Sequence, residues 1–117
     1  MSILEETVSI FLKKNKIDFI PQKRFNFMGK KSLDFYLPKH EVAIECQGIQ
    51  HYKNIDFFNS KMQQKRDLSK MKECLNNKIK IIYYTDYKNR KIVPKPYKKI
   101  TYYNLRIMLN DIINGVQ

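Results

Sequence analysis

Two carboxylates stand in the middle of two short apolar runs, and the residues just after the second could bind a metal or move a proton. The runs are Leu33, Asp34, Phe35, Tyr36, Leu37 and Val42, Ala43, Ile44, Glu45, Cys46, Gln47, joined by Pro38, Lys39, His40 and Glu41. This pattern predicts a hairpin of adjacent strands. Side chains alternate along a strand, so Leu33, Phe35 and Leu37 share one face, and Asp34 and Tyr36 the other. In the second run Val42, Ile44 and Cys46 are expected to point into a core, leaving Ala43, Glu45 and Gln47 opposite. Pairing the strands brings Asp34 toward Glu45. Two like charges that close are unfavourable unless a cation sits between them or one is protonated, the sequence form of a hard-metal site. The plainer reading is a strand face turned to water, common in antiparallel sheets. Gly48, Gln50, His51 and Tyr52 weigh against it, placing a flexible backbone, an amide and an imidazole directly after the second carboxylate.

The runs from Leu33 to Pro38 and from Ala43 to Tyr52 resemble the very-short-patch-repair-like (EDxHD, homing-endonuclease-like) branch of the PD-(D/E)XK nuclease superfamily. The similarity covers roughly residues 2–87. Glu5, early in an amphipathic segment, matches the family's first-helix glutamate, and Asp67 and Lys70 look like its later Asp-x-x-Lys element. The resemblance implies a restriction-endonuclease-like α/β fold, a mixed central sheet of about four strands flanked by helices. It further implies a DNA endonuclease or nickase of homing, repair or junction-cleaving kind. Three features depart from the pattern, the first being that nothing in the chain resembles the DNA-reading domain that many homing endonucleases append, which leaves target choice open. The lysine slot after Glu45 holds Gln47, an amide that can orient a water but carries no charge. The repair enzymes' structural zinc also has no counterpart, since Cys46 and Cys74 lack any paired spacing, so no zinc is expected.

Composition sets the class of partner. Twenty-three Lys and Arg against eleven Asp and Glu give a formal charge of +12 over 117 residues, and such a field attracts polyanions in a salt-dependent way. A Lys- and Asn-rich composition can also reflect an AT-rich genome, which leaves the field in place. No apolar run approaches the 18 or so residues that span a bilayer, and the acidic start at Glu5 and Glu6 is not a secretory signal. An intracellular protein of one domain, without membrane contact, is expected.

Positioning these residues requires the following elements. A helix over 4–14 begins at Ser2 in capping-box spacing with Glu5 and carries a stripe of Leu4, Val8, Phe11 and Leu12. A strand follows over 19–27, with Pro21 marking an edge or bulge, then a turn with Lys30 and Lys31. After the hairpin, 53–59 reads as a loop whose Phe57 and Phe58 either anchor on the core or stack on bases. A helix over 60–77, with Ser60 as N-cap, has Met62, Leu68, Met71, Cys74 and Leu75 as apolar contacts. Asp67 and Lys70 share its face as an exposed ion pair or, on the family reading, as site residues. A strand over 79–84 precedes a basic linker, 88–99, whose Pro94 and Pro96 oppose a helix, and a helix over 101–114 closes the chain on Leu105, Met108, Leu109, Ile112 and Ile113.

The implied mechanism places Mg²⁺, with Mn²⁺ as a substitute, on Asp34 and Glu45, with Glu5 reaching it directly or through water. His51 is the candidate general base or acid and Gln47 the orienting group; Asp67 and Lys70 complete the catalytic set. Lys23, Arg24, Lys30, Lys31, Lys53, Arg66, Lys95, Lys98 and Lys99 are the candidate phosphate contacts. The partner is DNA, duplex, mismatched or branched, with a homodimer open. The alternative is a basic nucleic-acid-binding module on a nuclease scaffold that no longer cuts, for which Gln47 is the best argument.

Overall fold

The computed structural model describes residues 2–48 and 57–115. A five-stranded mixed sheet in the order β1-β2-β3-β4-β5 carries three α-helices among the described residues. The elements are α1 (Ile3–Lys14), β1 (Ile20–Lys23), β2 (Leu33–Leu37), β3 (Val42–Cys46), α2 (Phe57–Asn76), β4 (Lys80–Tyr84), β5 (Thr101–Tyr102) and α3 (Leu105–Asn114). β1, β2 and β3 run antiparallel, whereas β3, β4 and β5 run parallel. Parallel neighbours need a crossover, which α2 supplies between β3 and β4 and residues 85–100 supply between β4 and β5.

Both sheet faces are covered, so the alternation expected of a half-wet hairpin gives way to burial on both sides. On one face Val8 and Leu12 of α1 and Met108 and Ile112 of α3 pack on Phe35, Leu37, Val42, Ile44, Ile82 and Tyr84. On the other, Cys74 of α2 joins Ala43, Ile81, Tyr83, Val93 and Tyr97. Leu33 is buried here too, not with Phe35 and Leu37 as strict alternation predicts. Cys46 packs toward the first face, so the two free thiols lie on opposite sides of the sheet.

Several sequence boundaries shift for local reasons. Ser2 caps α1 as expected, its oxygen accepting from the Glu5 N–H at 3.1 Å. The predicted strand over 19–27 shortens to Ile20–Lys23, and residues Asn26–Met28 wind into a 3-10 turn. α2 starts at Phe57, so Phe57, Phe58 and Asn59 are helical and Ser60 lies inside the helix instead of capping it. Of its predicted apolar contacts, Met71 and Cys74 pack inward while Met62, Leu68 and Leu75 are exposed, as is Ile113 on α3. The stretch read as a basic linker is folded: Val93 and Tyr97 are buried, and two 3-10 turns, Tyr87–Asn89 and Lys95–Tyr97, shape it. Thr101 and Tyr102 pair with Tyr83 and Tyr84 as β5, which delays the last helix to Leu105, where the Asn104 side chain accepts from the Ile107 N–H.

Candidate active site

The ladder between β2 and β3 registers Leu37 with Val42, Tyr36 with Ala43 and Phe35 with Ile44, so one further step sets Asp34 opposite Glu45. At that step the strands part. The Asp34 N–H donates to Glu45 Oε2 at 3.0 Å, and the Cys46 N–H donates to Asp34 Oδ2 at 2.9 Å. Each acid therefore satisfies a backbone amide that a continuing ladder would have paired. On the other side of β2 the pairing passes from Pro21–Phe35 to Lys23–Leu33 and skips Gln22 and Asp34, with Gln22 at φ 49°. Asp34 thus stands where the sheet opens on both flanks.

Glu45 is 7% exposed, and α2 lays the Lys70 ammonium directly on its Oε1. Burial, and then the neighbouring Asp34 charge, push the Glu45 carboxyl up to about 7, against the opposing pull of Lys70. Two carboxylates and one ammonium leave this pair short of positive charge, the electrostatic condition that a divalent cation relieves. The donor set fits such an ion in kind: two hard carboxylates, with Asp34 half-buried at the wall of an open cleft. That cleft, about 430 Å³, is lined by Lys30, Lys31, Ser32, Asp34, Gln63, Arg66, Asp67 and Lys70. Cations therefore border the acids, as a phosphate-binding groove requires.

The remaining predicted residues divide. Glu5 is held by Gln22, whose Nε2 donates to Glu5 Oε2 at 3.0 Å, and the Ser32 hydroxyl donates to Gln22 Oε1 at 3.2 Å. This chain links Glu5 to the cleft's rim, but among the described residues no three His, Cys, Asp or Glu side chains gather as a metal cluster. Gln47 is buried at the end of β3, its N–H bonded to the Tyr84 carbonyl at 3.0 Å. Asp67 and Lys70 do not form the exposed ion pair that their spacing suggests. Asp67 is 8% exposed and accepts from the Tyr97 hydroxyl at 2.6 Å and from Gln63 Nε2 at 3.1 Å, while Lys70 goes to Glu45.

His51 and Lys53 lie outside the described residues. Lys31 reaches Glu73 at 3.0 Å, and Lys23 lies 4.9 Å from the Phe25 ring centroid. Arg24, Lys95, Lys98 and Lys99 are exposed. Sequence reasoning overlooked Gln22, Gln63 and Tyr97. The positive φ at Gln22 has no sequence signature, but Pro21 had already flagged the irregular edge. No known family, no characterised protein and no solved structure significantly matches this chain.

Proposed function

We propose that this protein is a Mg²⁺-dependent endodeoxyribonuclease of restriction-endonuclease-like type, on the very-short-patch-repair-like plan that its hairpin resembles. One observation carries the reading: Lys70 of α2 sits on Glu45 beside Asp34. The lysine missing from the slot held by Gln47 is thereby supplied in space from another element. Asp34 and the Lys70 ammonium on the wall of a cation-lined cleft, with Glu45 buried behind them, suit phosphodiester hydrolysis, in which negative charge builds on phosphate oxygens.

Asp34 and Glu45 would hold the ion, while Glu5 stands apart from them, joined to the rim through Gln22 and Ser32, and would act through water. Mg²⁺ or Mn²⁺ supplies Lewis-acid polarisation of the scissile phosphate and a lowered pKa for the attacking water. Lys70 stabilises the charge developing on the phosphate, and Lys30 and Arg66 hold flanking phosphates along the cleft. His51 would accept the proton released by the attacking water, and the leaving oxygen would take a proton from solvent water as its bond to phosphorus breaks. Asp67, fixed by Tyr97 and Gln63, positions the α2 turn that presents Lys70.

The test is incubation with supercoiled, linear, mismatched and four-way-junction DNA, each with Mg²⁺, Mn²⁺ or chelator. Metal-dependent cutting is expected, and Asp34→Ala, Glu45→Ala and Lys70→Ala should each lower its rate by on the order of a hundredfold or more while binding persists. Cutting at the wild-type rate by Asp34→Ala under saturating Mg²⁺ would overturn the assignment. A second reading has its own support: both acids already accept backbone amides and Lys70 already answers Glu45. That arrangement suits a DNA-binding module that does not cut. It predicts binding to every substrate with no product under any metal.

A further inference from the structure

The carboxyl ends of the parallel strands β3, β4 and β5 lie side by side, the edge of an open α/β sheet where ligands commonly bind. Past β4 the chain enters the 3-10 turn Tyr87–Asn89, which is fastened to β3. The buried Thr85 hydroxyl donates to the Gln47 carbonyl at 2.6 Å, and the buried Asn89 Nδ2 donates to Thr85 Oγ1 at 3.0 Å. So anchored, the turn holds Tyr87 outward, 61% exposed. Tyr87 lines a cleft of about 470 Å³ with Thr101, Tyr102, Tyr103, Asn104 and Ile107.

Tyr87 also has partners on its ring and carbonyl. The Arg90 guanidinium lies 4.1 Å from its ring centroid, and Arg90 Nη1 donates to the Tyr87 carbonyl at 3.3 Å. The Tyr103 ring stands perpendicular to that of Tyr87, at 86° with centroids 6.4 Å apart. Ile107, 56% exposed, adds an apolar wall. Arg90 sets a positive charge against this aromatic surface, and Lys88 and Lys91 are its exposed neighbours in sequence. An outward aromatic ring, a guanidinium against it and an apolar wall complement a flat, π-faced group on an anionic chain. Duplex DNA keeps its bases stacked inside and offers no such face.

We propose that the Tyr87–Tyr103 cleft is a stacking site for an unpaired base of single-stranded DNA. The inference rests on the reading of DNA as partner, and not on cleavage. The test measures binding of a short single-stranded oligonucleotide carrying 2-aminopurine, and of its duplex, with chelator present. Wild type should bind the single strand and quench the 2-aminopurine. Tyr87→Ala should weaken single-strand binding roughly tenfold or more and remove the quenching, with duplex affinity held within about twofold; Tyr87→Phe should behave as wild type. Ile107→Asp, which places a negative charge at the wall, should act in the same direction as Tyr87→Ala, and circular dichroism verifies folding of both. Absence of quenching by wild type would overturn the site, as would an equal loss of single-strand and duplex affinity in Tyr87→Ala. Quenching lost in Tyr87→Ala from a protein that cuts nothing would uphold this site and sink the nuclease reading. Cutting with no Tyr87 effect would do the reverse.

Discussion

Asp67, singled out for its spacing to Lys70, is a carboxylate that serves the core. The Tyr97 hydroxyl, donating to it at 2.6 Å, ties α2 to the turn before β5, and the Gln63 amide, donating at 3.1 Å, braces it from within the helix. Removing one partner of a buried polar group costs about 1–3 kcal/mol, so Tyr97→Phe should lower unfolding stability by that amount in urea melts. A loss below about 0.5 kcal/mol would show that the contact is not maintained. The Asp34–Glu45 pairing was legible from period-two alternation alone, because strand register brings facing residues together whatever the rest of the chain does. Lys70 as the partner of Glu45 was not, since its approach depends on how α2 packs over the sheet. Nor was the role of the carboxylates as amide acceptors, which depends on the strands parting at that step.

Helix ends explain much of the rest. Both α1 and α2 finish in paired reverse bonds: Ile17 N–H to the Leu12 carbonyl at 2.9 Å with Lys16 N–H to Lys13 at 3.1 Å, and Ile79 N–H to Cys74 at 2.8 Å with Lys78 N–H to Leu75 at 3.0 Å. Such endings require a left-handed residue, usually glycine, yet here lysines occupy it, Lys16 at φ 57° and Lys78 at φ 63°. Lys78→Gly should relieve that strain and raise stability by up to about 1 kcal/mol, read as a higher melting temperature. A lowered melting temperature would mean that the unfolded-state entropy of glycine outweighs the relief. Long periodic segments were readable because an apolar stripe must meet a core. β5 was not, since a two-residue strand has no period and Thr101 and Tyr102 sit directly before a helical stripe. The 88–99 stretch misled because its lysines advertise solvent while Val93 and Tyr97, spaced between them, are buried.

Across the molecule the +12 charge is distributed rather than gathered on one helix. Lys30, Lys31 and Arg66 border the acidic cleft, whereas Lys95, Lys98 and Lys99 are exposed on the stretch preceding β5. Contacts of this kind go mainly to phosphates, so duplex affinity should fall with salt almost equally for unrelated sequences, with a log–log slope of roughly −0.9 per phosphate contacted. Neutralising Lys95, Lys98 and Lys99 together should flatten that slope and leave cutting preference unchanged; an unaltered slope would place the backbone elsewhere. The sheet's two margins carry one more consequence. β1 offers Pro21, which has no N–H, next to Gln22 in a left-handed conformation, and β5 is only two residues long. Among the described residues both margins are poor templates for another strand, so sheet extension is disfavoured at either edge, and a twofold assembly of this chain would be built on other surfaces.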